Sequence, residues 1–277
     1  MAILLAGLSA LMYGSADFCG GLATRRDSIL PVLVFSQLVG LVVAAAAAFL
    51  LKETIPGVHD LLWGIAGGVC GAAGLAALYT AIATSPVAVA SPVAAVVGAA
   101  IPVILGVATG ERPSTIAWFG IGLALPAIVL LTAGRTETHA PGAVRRAAVL
   151  GTAAGLGFGL FFFAISRTSH ASGIWPLVAA RCTTVAIVGI YAAFSGRSLR
   201  PGPGFPVVLL AGALDMGANI MFLLASRIGL LTVVAVVTSL YPGPTVVLAL
   251  LVFRERMGAA RIAGLVLALV GVALISA

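Results

Sequence analysis

The segment Val103–Leu130 reads VILGVATGERPSTIAWFGIGLALPAIVL, and it decides the fold. Two apolar stretches flank a short charged turn, which predicts two hydrophobic helices joined by a tight connection. The same pattern recurs 144 positions later in the chain. The matching pairs are Glu111 and Glu255, Arg112 and Arg256, and Gly120 and Gly264. A match at one offset through a charged turn and the following helix indicates that the chain consists of two copies of one unit.

The composition of the chain excludes a water-soluble fold. Hydrophobic residues make up 61% of the sequence and charged residues only 8%, whereas about 25% of the residues of a soluble domain are charged. Apolar runs of about 20 residues are long enough to cross the hydrocarbon core of a bilayer as helices. They are too long and too uniformly apolar for the alternating strands of a membrane barrel. The sequence therefore predicts an all-α polytopic membrane protein.

Ten transmembrane helices are predicted, five in each copy. Their expected ranges are 3–22, 31–51, 60–83, 87–109, 115–134, 148–166, 174–195, 205–226, 230–253 and 259–276. The chain divides into a first repeat (1–134), a polar linker (135–147) and a second repeat (148–277). Because five is an odd number, the second repeat enters the membrane from the opposite face, so the repeats are inverted. Inverted repeats are typical of carriers that work by alternating access around a site near the membrane midplane.

Three ionisable residues fall at membrane depth, where a charge is costly and tends to be functional. They are Asp17 in helix 1, Arg181 in helix 7 and Asp215 in helix 8. A rise of about 1.5 Å per residue places Arg181 nearer in depth to Asp215 than to Asp17. We therefore predict an Arg181–Asp215 ion pair, with Asp17 as the freer group and the candidate for proton coupling. Two interpretations stay open: a direct role in binding substrate or protons, and a fixed polar brace between helices.

Further polar side chains at helical spacing complete a candidate substrate cavity. They are Tyr13, Gln37, Tyr79, Asn219 and Tyr241. A carrier site needs a few convergent polar groups in an apolar cavity. For any one of these residues alone, hydrogen bonding between helices is the better explanation.

Prolines interrupt helices 4 and 9, which occupy equivalent places in the two repeats. The four prolines are Pro92, Pro102, Pro242 and Pro244. Proline removes a backbone hydrogen bond and bends a helix, so these positions are candidate flexing gates, and static kinks explain them equally well. The turn glutamates, Glu111 and Glu255, are predicted to cap the helix that follows each turn or to pair with the neighbouring arginine.

The ten-helix chain, its division into five plus five, and its two charged turns resemble the EamA type of the drug/metabolite transporter superfamily. The turns that carry the resemblance are Gly110-Glu111-Arg112 and Arg254-Glu255-Arg256, although Arg254 stands where glycine is more usual. The resemblance implies a carrier in the plasma (inner) membrane for a small organic metabolite or drug, commonly an exporter. It also implies that helices 3–4 and 8–9 act as gates around a central cavity, with helices 5 and 10 at the periphery.

The sequence contains no pattern of an enzyme or of an ATP-driven pump. Walker, HExxH and nucleophile-elbow motifs are absent, and the three histidines share no metal-ligand spacing, so we expect no cofactor and no metal. Basic residues occur singly or in pairs between apolar runs, which favours contact with the lipid bilayer over nucleic acid.

We therefore predict a secondary active transporter of a small molecule, with protons as the candidate coupling ion. A non-transporting membrane protein, such as a lipid-modifying enzyme or a scaffold, is the alternative. Whether the chain forms a homodimer is left open.

The distribution of basic residues predicts an orientation. Loops after helices 1, 3, 5, 7 and 9 carry nine arginines, and the other loops carry four basic residues. The positive-inside rule places the richer side in the cytoplasm, so both termini are expected outside. The family resemblance implies the reverse, with both termini in the cytoplasm.

Overall fold

The computed structural model describes residues 1–132, 141–253 and 258–276. Within these ranges the chain forms eleven α-helices and one short 3₁₀ helix. The α-helices are α1 (Ala2–Thr24), α2 (Ile29–Leu50), α3 (Val58–Thr84), α4 (Val87–Ala108), α5 (Thr115–Thr132), α6 (Pro141–Ser166), α7 (Trp175–Phe194), α8 (Phe205–Ile228), α9 (Leu231–Thr238), α10 (Pro242–Phe253) and α11 (Ala259–Ser276). The 3₁₀ helix, His170–Ser172, lies in the connection between α6 and α7.

The predicted fold class is confirmed: the chain is an all-α polytopic membrane protein with ten transmembrane helices in two inverted five-helix repeats. The described ranges contain ten spans that are long and apolar enough to cross a membrane, with mean hydropathies of 1.5 to 2.4. The ninth span consists of α9 and α10 together. Helices suit such spans because they satisfy every backbone N–H and C=O group within the segment, where no water is available.

The sixth transmembrane helix begins earlier than the sequence predicted. α6 starts at Pro141 rather than at residue 148, and its first turns carry Arg145 and Arg146, which are both exposed. These polar residues were expected in a linker, but arginine is a good helix former and proline suits the first helical turn. The helix therefore extends past its apolar run. The earlier part of the predicted linker falls within residues 133–140, which lie outside the described residues.

The ninth span was predicted as one helix with internal kinks, and this is wrong. α9 ends at Thr238, and Pro242 begins a new helix, α10. The residues between them form tight turns, with Tyr241 N–H donating to the Thr238 carbonyl at 3.2 Å. Pro242 and Pro244 remove two N–H donors within one turn, which ends the helix. In α4 the two prolines, Pro92 and Pro102, are ten positions apart, so the lost hydrogen bonds fall in different turns and the helix stays continuous.

Glycine contacts show the relation between the repeats in detail. A Cβ on Gly68 of α3 would lie 2.5 Å from the carbonyl oxygen of Ala180 in α7. A Cβ on Gly212 of α8 would lie 2.5 Å from the carbonyl oxygen of Ser36 in α2. Both partners in the second contact are offset by 144 positions from those in the first. The α3–α7 and α2–α8 contacts are thus two copies of one interface.

The remaining contacts follow the same exchange of repeats. α1 packs along α8 as α3 packs along α6, while α2 and α7 meet each other. α5 packs against α11 at the edge of the molecule, where Gly120 lies against the Gly271 carbonyl and Gly264 against the backbone of Leu131. The other helices surround the centre, which is where a site shared by both repeats has to lie.

We expect Gly212→Ala to destabilise the protein, because its Cβ would meet the Ser36 carbonyl oxygen and the Val39 side chain. Overpacking of this kind costs about 1–3 kcal/mol. The measurement is the Tm of the purified protein in detergent. Gly189→Ala in α7 is the matched control, since nothing lies within 4 Å of its added Cβ, and alanine favours helix. An equal Tm for Gly212→Ala and wild type would contradict the packing described here.

Candidate functional site

A cavity of about 250 Å³ lies at the centre of the molecule, between the two repeats. It is lined by α1, α2, α3, α4, α6, α7 and α8 and by the break between α9 and α10. All eight residues predicted for a substrate cavity line it: Tyr13, Asp17, Gln37, Tyr79, Arg181, Asp215, Asn219 and Tyr241. Their convergence from six separate segments gives the cavity its polar groups. Their roles in binding or coupling remain predictions.

Arg181 is held at the centre of the cavity by two side chains. Its guanidinium donates one hydrogen bond to Oδ2 of Asp215 and another to Oε1 of Gln37. Asn219 Nδ2 in turn donates to the backbone carbonyl of Asp215 at 2.7 Å, one turn along α8. The ion pair expected from helix depth is therefore present, and Gln37 is an additional partner. A buried guanidinium needs such partners because desolvation of an unpaired charge is costly.

Gln37 and Arg181 occupy equivalent positions in the two repeats, 144 residues apart. They meet where α2 and α7 cross, and Gly40 provides the space. A Cβ on Gly40 would lie 3.3 Å from Nε of Arg181. The sequence contained a signal for the Gln37–Arg181 contact, because these two residues are separated by the same offset as the two charged turns. We did not predict their contact from it.

Asp17 differs from the other acid of the cavity. It makes no hydrogen bond or ion pair with any residue that the structure describes, whereas Asp215 binds Arg181. Asp17 is nevertheless exposed, although it lies in the apolar span of α1. The space that it faces is the cavity, together with an adjoining pocket of about 240 Å³. Asp17 is thus a free carboxylate, available to a ligand inside the membrane domain.

The adjoining pocket extends the cavity toward one face of the membrane domain. We call the face that carries Met1 and the connections 51–57, 109–114, 167–174 and 229–230 the terminal face. The opposite face carries the connections 25–28, 85–86 and 195–204. Ser91, near the start of α4, and Thr132, at the end of α5, line the adjoining pocket. Both residues lie toward the opposite face, so the cavity extends in that direction.

Aromatic side chains form the wall of the cavity toward the terminal face. The ring of Tyr13 lies 6.2 Å from Tyr241 and 6.1 Å from Phe162. Phe162 packs in turn on the fully buried ring of Phe222, with centroids 4.4 Å apart. We had not predicted a role for Phe158, Phe161 or Phe162, which also line the cavity. The run of three phenylalanines at 161–163 was the available signal.

Hydrogen bonds from both repeats hold the connection between α6 and α7 on the terminal face. Asp60 at the start of α3 accepts hydrogen bonds from the N–H and the Oγ–H of Ser169, both at 2.8 Å. Glu53 accepts the N–H of Ile174 at 2.5 Å. Arg227, at the end of α8, donates to the Gly173 carbonyl at 2.6 Å. The connection between α6 and α7 is therefore fixed by two acids of the first repeat and one base of the second.

Glu111 adds a further contact between the repeats, and the prediction that it caps the following helix is wrong. Its carboxylate does not cap α5, the helix that follows it, because Ser114 Oγ accepts the N–H of Ala117 there at 3.1 Å. Glu111 instead accepts the N–H groups of Leu231 and Thr232, at 2.7 and 2.8 Å. These are free donors at the start of α9, where the helix dipole favours a negative charge. Glu255 lies outside the described residues.

The predicted gate prolines are distributed unevenly around this site. Pro242 lines the adjoining pocket, at the break in the ninth span. Pro92 and Pro102 lie within α4 and do not line the central cavity, although Ala94, Ala95 and Gly98 between them do. Whether any of these prolines bends during a transport cycle remains a prediction.

Comparisons with known proteins agree with the architecture. A family model described as the EamA-like transporter family matches residues 1–133 and, a second time, residues 145–277. Among solved structures, one protein crystal structure superimposes with a TM-score of 0.80 over 99% of this chain and 95% of the other. Its sequence identity is 20%, so this likeness shows the fold alone. The search of curated proteins finds no significant match.

We expect Arg181→Ala and Asp215→Ala each to lower the Tm in detergent, and the double variant to recover part of the loss. Removing one partner of a buried ion pair costs about 3–5 kcal/mol because the other charge is stranded. The cost is smaller here, since 33% of the Asp215 side chain is exposed. The measurement is a double-mutant cycle on unfolding in detergent. Strictly additive losses would mean that the two residues are not coupled.

Proposed function

Because the chain belongs to the EamA-like transporter family, we propose that it is a secondary active transporter that moves a small organic solute by alternating access. The observation that supports this proposal most directly is the central cavity. It lies between inverted repeats, extends toward the opposite face and is separated from the terminal face by bonds between the repeats. A binding site that communicates with one face at a time is the requirement of alternating access.

A gradient is the proposed energy source. The sequence has no Walker motif that would bind ATP. Asp17 is the proposed coupling group, because it is a free carboxylate that faces the cavity. The charged and titratable side chains that line the cavity with it are Tyr13, Tyr79, Arg181, Asp215 and Tyr241. Of the two acids, only Asp17 has no fixed cationic partner within the described residues, so a proton or a solute can occupy it without breaking an existing bond.

Export across the plasma (inner) membrane is the proposed direction of transport. The family resemblance supports a carrier of metabolites or drugs, and the apolar lining of the cavity suits a solute of that kind. A counterflow screen in proteoliposomes tests transport itself: preloaded candidate solutes are exchanged for labelled solute outside. Absence of exchange for every solute would contradict the transporter proposal and favour a scaffold or a lipid-modifying enzyme.

For the coupling role we expect Asp17→Asn to abolish solute accumulation driven by a pH gradient. Exchange without a gradient is expected to persist at saturating solute, because the amide keeps the shape of the side chain but does not bind a proton. The measurement is uptake of labelled solute into proteoliposomes with and without an imposed pH difference. Asp27→Asn, in the connection that follows α1 and outside the cavity lining, is the matched control. Undiminished accumulation in Asp17→Asn would remove Asp17 from coupling.

We further propose that the arginine-rich opposite face lies in the cytoplasm, as the positive-inside rule favours. Ser198 is exposed on that face, and Ile55, with 71% of its surface exposed, lies on the terminal face. Single-cysteine variants at these two positions, with the three native cysteines replaced, report the orientation through an impermeant maleimide. We expect labelling at position 55 and protection at position 198 in intact cells. The reverse pattern would place both termini in the cytoplasm.

A further inference from the structure

We propose that the ligand of the central cavity is a small amphipathic organic cation, with its ammonium group at Asp17 and its apolar body on the wall formed by α3 and α6. This inference rests on the proposed function of the cavity as the solute site, and it adds the chemical class of the solute.

The two repeats contribute different chemistry to the same cavity. Within the paired helices α1 and α8, the cavity is lined by the acids Asp17 and Asp215. In the equivalent pair, α6 and α3, the corresponding positions hold Phe162 and Gly71, at offsets of 145 and 144. The same offsets relate the contacts within each helix pair. Ser9 Oγ donates to the Ala218 carbonyl between α1 and α8, and at the equivalent positions Gly74 packs against the Ala154 carbonyl between α3 and α6. The cavity therefore has one acidic wall and one apolar wall.

The charge balance of the cavity favours a cationic ligand. The lining residues with an acidic or basic side chain are Asp17, Arg181 and Asp215. Arg181 already donates to Asp215 and Gln37, so an anionic ligand would have to displace one of these bonds. Asp17 has no cationic partner among the described residues, and a carboxylate inside the membrane domain is costly to ionise unless it is paired. A bound cation removes that cost.

The surroundings of Asp17 suit an ammonium group. Tyr13 lies one helical turn before it on α1, and Tyr241 lines both the cavity and the adjoining pocket with it. The rings of these tyrosines are 6.2 Å apart, and Tyr79 contributes a third ring to the lining. Aromatic faces attract cations, and cages of such rings recognise quaternary ammonium ions. A carboxylate beside several rings therefore selects for a substituted ammonium.

The apolar wall and the size of the cavity define the rest of the ligand. Leu75, Leu78, Phe158 and Phe161 of α3 and α6 lie among the lining residues. Apolar side chains hold an aromatic or aliphatic body through its buried area. A volume of about 250 Å³ limits that body to roughly one ring.

Binding to the purified full-length protein in dodecyl maltoside tests this inference without requiring transport. The probes are benzyltrimethylammonium, neutral N,N-dimethylbenzamide and anionic phenylacetate, which share one ring and differ in charge. Isothermal titration calorimetry measures each Kd. We expect the cation to bind about tenfold or more tighter than the other two. Failure of the cation to bind, or tighter binding of phenylacetate, would overturn the inference.

Variants locate the ammonium group. Asp17→Asn is expected to raise the Kd of benzyltrimethylammonium by about tenfold or more, while Asp17→Glu, which keeps the charge, retains most of the affinity. Asp27→Asn, which changes a carboxylate of the 25–28 connection outside the cavity lining, should leave the Kd unchanged. Unaltered cation binding in Asp17→Asn, at an unchanged Tm, would show that the ammonium group lies elsewhere and overturn the assignment.

A lipid headgroup also carries an ammonium group, so glycerophosphocholine is tested as a competitor of benzyltrimethylammonium. It carries a phosphate and no ring, and we expect it not to displace benzyltrimethylammonium. Equal displacement would contradict a solute with an apolar body.

Counterflow then separates this inference from the proposed function. Cation binding that depends on Asp17 without exchange would refute transport and keep the cation site, whereas exchange of neutral or anionic solutes alone would keep transport and refute the cation site.

Discussion

Close approach of helix backbones is the constraint on which the rest of the structure depends. In a bilayer, lipid tails are as apolar as leucine, so helices gain little from burying hydrophobic surface against one another. They associate where small side chains allow extensive contact, and here glycine supplies that contact at the α3–α7, α2–α8 and α5–α11 interfaces. Because the same contacts occur in both repeats, they fix the two halves in equivalent positions. A cavity remains where the larger side chains of the central helices meet.

The Arg181 cluster shows how the cavity tolerates charge. A guanidinium at this depth needs acceptors, and these come from one helix of each repeat: Gln37 of α2 and Asp215 of α8. Gly40 keeps the space beside the guanidinium open. The cluster satisfies the single arginine of the cavity and leaves Asp17 as the acid without a partner among the described residues. Arg181, Gln37 and Asp215 thus bind one another and stabilise the protein, whereas Asp17 remains available to a ligand.

The sequence predicted the fold and the members of the cavity because both follow from local patterns. Apolar runs define spans in a bilayer, and a polar residue inside such a run has to face other protein or a cavity. It did not predict the partner of Glu111, because that partner is the backbone of a helix 120 residues away. Every residue type except proline has a backbone N–H, so such a donor cannot be recognised from the spacing of residues in the sequence. Nor did it predict the break before Pro242, which depends on two prolines falling within one turn. The aromatic wall at Phe162 was missed because phenylalanine is unremarkable in an apolar helix until the repeats are superimposed.

Two bonds of the terminal face, those of Asp60 and Arg227, have a thermodynamic consequence, because the inverted repeats do not duplicate their charged side chains. Asp60 and Arg227 hold the connection at 167–174, but the equivalent positions on the opposite face are Gly204 and Ala83, which carry no charge. In the alternating-access cycle proposed above, exchanging the roles of the two halves removes these two charged hydrogen bonds and does not restore them at Gly204 and Ala83, so we expect the two states to differ in free energy. Since about 1.4 kcal/mol changes a population ratio tenfold, we expect such bonds to give the empty protein a preferred resting state. Two repeats with nearly equivalent backbones can thus have states of unequal free energy, because a few charged side chains of one repeat have no equivalent in the other.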